Sequence, residues 1–205
     1  MNTPQQHWNT IFSTKADPDL GWHEGDVAQT LKFLDFIPQT KAAAIFLPGA
    51  GTSILVDALL SRGARLILND ISDEALKKLR QRIGSHPDRL TWLHHDISKP
   101  LPGGLPRADI WIDRAVLHFL LDETQIAGYF DNLRSAVRPG GHALLAEFSI
   151  LGAPKCAGLD VHRYSVEEMA ERLGAGFELV QQEDFTFINP SGDPRPYVYA
   201  LFRRK

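Results

Sequence analysis

Cysteine is nearly absent from this chain. Cys156 stands alone among 205 residues, so no intrachain disulfide can form, and that usage fits a reducing compartment. No apolar run is long enough to span a bilayer, and no membrane partner is expected. The start, Met1-Asn2-Thr3-Pro4-Gln5-Gln6-His7-Trp8, lacks a basic stretch followed by an apolar one. A secretory signal is therefore not expected, and a cytoplasmic location is. Charge of one sign is also lacking. The formal net charge is −3, with acids and bases interspersed, so no basic stripe offers itself to a nucleic-acid backbone. Repeats and low-complexity tracts are missing too. What is present, 43% hydrophobic and 23% charged residues, suits a soluble globular protein. The length suits one α/β domain with a short appended segment.

The segment up to Gly25 is polar but carries Trp8, Phe12 and Trp22. From Val27 to Ile37 the apolar positions have helical spacing, and Pro38 stops the pattern. An alternation of strands and helices follows. Ala42–Leu47 is a short apolar run without alternation, as expected of a strand buried on both faces. Ser53–Ser61 is expected to be a helix ended by Gly63. Arg65–Asn69 is the second strand. Asp73–Ile83 is a helix capped by Asp73 and closed by Gly84. Leu90–His94 and Asp109–Asp113 are the third and fourth strands. Glu123–Val137 is a helix closed by Arg138-Pro139-Gly140-Gly141, and His142–Phe148 is the fifth strand. Val166–Leu173 is a helix. Phe177–Phe187 and Tyr197–Arg203 read as an antiparallel hairpin around Asn189-Pro190-Ser191-Gly192-Asp193-Pro194. The prediction is an α/β, Rossmann-like, doubly wound and mostly parallel seven-stranded sheet with a C-terminal antiparallel hairpin.

Such a sheet binds ligands beyond the carboxyl ends of its strands, near the point where strand order reverses. Four loops lie there. The first, Pro48-Gly49-Ala50-Gly51-Thr52-Ser53, permits a tight turn and a close ligand approach. The third glycine of the dinucleotide fingerprint is replaced by Ile54, which disfavours NAD. A plain βα turn is the competing reading of this loop. The second loop places Asp70 at the spacing of a ribose-binding acid, in competition with a surface or capping aspartate. The third, His94-His95-Asp96-Ile97, offers an acid for an adenine amino group and an apolar side chain for the ring. A metal site is not expected there, because adjacent strand residues point to opposite faces. The fourth, Asp113-Arg114-Ala115-Val116-Leu117-His118-Phe119-Leu120, sets two charges directly after Ile110-Trp111-Ile112. The pair is either a structural ion pair or a ligand contact. His118 is either a base or a packed core histidine.

The ordered set resembles class I S-adenosylmethionine (SAM) dependent methyltransferases. Ala44-Ile45-Phe46-Leu47-Pro48-Gly49-Ala50-Gly51-Thr52-Ser53 is similar to their first motif. Asp70, Asp96-Ile97, Asp113-Arg114-Ala115-Val116-Leu117-His118 and Arg138-Pro139-Gly140-Gly141 follow in the family order. The resemblance implies SAM as cofactor, held by Trp22, Gly49, Ala50, Gly51, Asp70, Ile71, Asp96, Ile97 and Arg114. The chain departs from the family at Leu47-Pro48, where many members carry an acid that helps hold the methionine end. The N-terminal Trp8, Phe12 and Gly21-Trp22-His23-Glu24 resemble the leading segment of thiopurine and tellurite methyltransferases, in which that segment folds over SAM. Residues 1–25 are accordingly expected to form a lid on a methyltransferase domain at 26–205. Asp113–Leu120, with Lys155-Cys156-Ala157-Gly158-Leu159 and Arg163-Tyr164, resembles instead a branch that includes lysine methyltransferases acting on citrate synthase.

Methyl transfer to oxygen, nitrogen or sulfur draws much of its rate from alignment. A base is needed only when the nucleophile arrives protonated. Asp113 and His118 are the candidate catalytic residues, with His23 behind them; no metal is called for. The expected acceptor is a small molecule (thiol, chalcogen, oxygen or nitrogen). A protein lysine and a non-catalytic SAM-binding module are the alternatives.

Overall fold

The computed structural model describes residues 3–38 and 40–205. Helix α1 (Pro4–Thr14) opens the chain and was not expected from its polar sequence. Thr3 caps it reciprocally with Gln6, and Pro4 starts it, a capping box that satisfies the first free N–H groups. Helix α2 (Ala28–Leu34) buries Phe33 and Leu34. Then follow β1 (Ala44–Leu47), α3 (Leu55–Ser61), β2 (Arg65–Asp70), α4 (Asp73–Ile83), β3 (Leu90–His94) and β4 (Ala108–Arg114). Helix α5 (Glu123–Ala136), β5 (Val137–Phe148), the short pair β6 (Lys155–Cys156) and β7 (Leu159–Asp160), α6 (Val166–Leu173), β8 (Phe177–Ile188) and β9 (Pro194–Arg204) complete it.

The main sheet has seven strands in the order β3-β2-β1-β4-β5-β9-β8. The pairs from β3 through β5 are parallel, and β9 is antiparallel to both β5 and β8. Strand order reverses between β1 and β4, which opens the crevice above their carboxyl ends. β1 is buried at every position, as a parallel strand covered on both faces must be. Two cores result. One packs Phe33, Val56, Leu59, Leu68 and Ile112 on one face. The other packs Trp111, Tyr129, Leu133 and Met169 on the opposite face. Among the described residues, no helix is long and apolar enough to cross a membrane.

Two local expectations are corrected. Ser72, not Asp73, caps α4: its side chain accepts from the Ala75 N–H, because Ser72 keeps the extended backbone of a cap while Asp73 is already helical. The Arg138–Gly141 stretch is not a loop after α5 but the start of β5. Val137 pairs with Ala108, and the register then shifts so that His142 meets Ile110, with Gly140 at φ 76°, where glycine carries no Cβ penalty.

Candidate active site

The four strand-end loops meet in one cleft of about 590 Å³, within the usual range of small-molecule and cofactor sites. Gly49 and Gly51 adopt φ of 53° and 52°, left-handed backbone open to glycine at little cost. At Gly49 a Cβ would lie 2.3 Å from Val116 Cγ2, so the loops after β1 and β4 touch only because that atom is missing. The Gly51 N–H donates to Asp70 Oδ2 at 2.8 Å, and the Ser72 N–H donates to Asp70 Oδ1 at 2.8 Å. Burial raises the Asp70 carboxyl to about 6, against the pull of these two N–H donors. Asn69, unremarked in the sequence, accepts from the Ala50 N–H and donates to the carbonyls of Leu93 and His95. It thereby laces the first three loops together. Asp96 Oδ1 accepts from the Ser98 N–H at 2.9 Å and hydroxyl at 2.7 Å.

All nine expected cofactor residues, Trp22, Gly49, Ala50, Gly51, Asp70, Ile71, Asp96, Ile97 and Arg114, line this cleft. The far wall comes from the N-terminal segment. His7, Trp8, Phe12, Trp22, His23 and Glu24 face it. Trp8 packs edge-on against Trp22 and Phe119, at centroid distances of 5.5 and 4.8 Å. Segment and domain are joined by Asn9, which bonds Ser72 and Asp73 at 2.6 Å each. The Arg114 side chain is nine-tenths buried and lies 2.9 Å from Glu24. It donates to the Trp22 carbonyl at 3.1 Å and stacks over Phe187 and Tyr197.

His94 and His95 diverge. His94 Nε2 contacts the Ile71 carbonyl, and His95 Nε2 contacts that of Lys99. Among the described residues no group of three or more His, Cys, Asp or Glu gathers as a metal site.

Asp113 and His118 are not among the cleft residues; both are fully buried. The alternation along β4 explains it: Arg114 faces one side of the sheet, so Asp113 joins Trp111 on the other. Asp113 accepts from the Val116 and Leu117 N–H groups at 3.1 and 3.2 Å and from the Tyr129 hydroxyl at 2.6 Å. Glu147, from β5, accepts from the His118 N–H at 3.2 Å and lies 2.8 Å from His118 Nδ1. Burial, then the neighbouring Glu147, holds Asp113 well above the usual carboxylate range. Burial lifts Glu147 to about 8 and pushes His118 down to about 3. The cluster stabilises the turn that follows β4 rather than facing a ligand. Because the folded chain holds the Glu147 proton more tightly than the unfolded one, this group's stabilisation is present below pH 4.5. It is lost as pH rises to about 8. Glu147→Gln, which cannot ionise, is expected to gain melting temperature relative to the wild type between pH 5 and 9. Parallel pH profiles of the two proteins would remove Glu147 as the source.

A family model described as a methyltransferase domain matches residues 48–143. That span holds all four loops. Over that span the chain is similar to methyltransferase domains. The chain is 32% identical over 120 residues to the ubiquinone/menaquinone biosynthesis C-methyltransferase UbiE of Paracoccus denitrificans. The match covers 56% of this chain and 46% of that protein, so it spans about half the length of that curated relative. A SAM-dependent methyltransferase of Anabaena variabilis shares its fold at TM-score 0.77 and 16% identity, over 98% of this chain and 93% of that one. The N-methyltransferase NodS of Bradyrhizobium japonicum, solved with S-adenosyl-L-homocysteine, matches at TM-score 0.71 and 17% identity, over 96% and 97%.

Proposed function

We propose that the chain transfers a methyl group from SAM to a small-molecule acceptor. The observation that carries this reading is the convergence of Gly51, Asp70, Asp96 and Arg114, from four separate strand ends, on one cleft. SAM supplies an electrophilic methyl group on a sulfonium. Asp70 is placed to accept from both ribose hydroxyls, since each carboxylate oxygen already holding one N–H retains a lone pair. Asp96 is placed to accept from an adenine amino group, with Ile97 beneath the ring. Gly49, Ala50 and Gly51 let the backbone approach the nucleoside, and Ile71 and Trp22 close over it. Residues 3–25 act as the lid on the remaining domain, and their aromatic side chains exclude water from the reacting atoms. Leu47 is 4% exposed and packed in the core, so the methionine end is held without the acid common at that position. Orientation in such a cleft contributes up to roughly 7–11 kcal/mol to the barrier reduction.

Calorimetric titration with SAM, S-adenosylhomocysteine and NAD tests the assignment. Saturable heat with the first two and none with NAD is expected. Binding of NAD alone would overturn it.

A further inference from the structure

With Asp113 and His118 buried away from the cleft, the expected acceptor side lacks the base that the sequence suggested. Glu24, by contrast, does line the cleft, beside Trp22, and its side chain is 10% exposed. Oε1 lies 2.9 Å from Arg114 Nε. Among the described residues neither oxygen of Glu24 makes a hydrogen bond, and Arg114 Nε is itself without a hydrogen-bond partner. The guanidinium donates to the Trp22 carbonyl and lies over the rings of Phe187 and Tyr197. The ion pair thus holds the carboxylate while leaving its oxygens to accept from a ligand. The surroundings describe that ligand. Trp8, Phe12, Trp22 and Phe119 line the same cleft, which suits a flat ring. The charged and titratable neighbours of Glu24 are Arg114 from β4, Tyr199 from β9 and Asp26 from its own segment. Burial raises its carboxyl and Arg114 opposes the rise.

We propose that Glu24, anchored by Arg114, accepts the proton of an aromatic hydroxyl acceptor, a catalytic residue outside the four family loops. The proposal rests on the methyltransferase reading above. In the step, the hydroxyl oxygen lone pair forms the new O–CH₃ bond and its proton passes to Glu24 Oε2. The C–S bonding pair returns to sulfur, leaving neutral S-adenosylhomocysteine.

Glu24→Gln and the wild type are compared with phenols of graded acidity: 4-methylphenol, phenol, 4-nitrophenol and 2,4-dinitrophenol. Labelled methyl transfer and S-adenosylhomocysteine affinity are both measured. A general base contributes about 10²–10⁴-fold. The variant is therefore expected to lose at least about 100-fold on phenols that arrive protonated. Its loss should fall to a few-fold as the phenol arrives ionised, with S-adenosylhomocysteine affinity unchanged within threefold. An equal loss across the series, no loss, or a large loss of S-adenosylhomocysteine affinity would overturn the base role. Binding of S-adenosylhomocysteine by a wild type that methylates no phenol would overturn the acceptor class. If neither protein binds S-adenosylhomocysteine, the methyltransferase reading falls first and the proposal with it.

Discussion

Asp70→Ala is expected to weaken S-adenosylhomocysteine binding by more than tenfold. A hydrogen bond to a charged group is worth about 1.5–3 kcal/mol, and tenfold in affinity is about 1.4 kcal/mol. Losing even one ribose contact therefore reaches that factor. The same substitution strands the Gly51 and Ser72 N–H groups, both now satisfied by this carboxylate, and a buried donor left unpaired costs about 1–3 kcal/mol. The glycine loop should loosen as well, so the melting temperature falls along with affinity. A pH signature separates the two effects. The Asp70 carboxyl is raised to about 6 by burial, and ribose hydroxyls need its ionised form. Wild-type affinity should thus decline as pH falls below about 6, while Asp70→Asn should bind weakly and with a flatter profile. Calorimetry at pH 5 to 8 checks both, and an Asp70→Ala protein with wild-type affinity would remove this residue from the ribose.

Gly49→Ala should be the more damaging change to the scaffold. The added methyl would sit 2.3 Å from Val116 Cγ2, on a backbone at φ 53°. Left-handed backbone costs a non-glycine residue roughly 1–2 kcal/mol, and overpacking typically costs about 1–3 kcal/mol more. For a chain of this size each kcal/mol is about 2–4 °C, so a drop of about 5 °C or more is expected. S-adenosylhomocysteine affinity should fall with it, because the loops after β1 and β4 must part. Val116→Ala removes the colliding methyls. In the double variant it should restore part of the loss, leaving only the backbone cost. Thermal unfolding of the single and double variants reads this coupling directly, and strict additivity would show that the two loops do not depend on each other.

The sheet was legible because its central strands obey one rule. Phe46, Ile67 and Trp111 lie in runs with no polar alternation, as strands covered on both faces require. The loops were legible because ligand-binding turns need glycine and acids at fixed places after those strands. The legible part ended where tertiary contacts decide. That β9 inserts between β5 and β8 is a matter of pairing, not of local pattern. Helix α1 buries little beyond Phe12, so its apolar spacing was faint. The Thr3–Gln6 capping box was the signal that marks it. Glu24 stood within the Gly21-Trp22-His23-Glu24 string, but nothing there marked it as a base, since its pairing with Arg114 comes from ninety positions away. Asp113 stood out in the string for its charge and His118 as a possible base, yet strand alternation turns Asp113 from the cleft.

Trp8, Trp22 and Phe119 form a seam in which rings from the leading helix, the stretch after it and the turn past β4 interlock. Under the proposed function, a nucleoside held behind that seam would depart only when the rings come apart. Opening of these rings, rather than encounter with the acceptor, is then expected to set the pace of turnover.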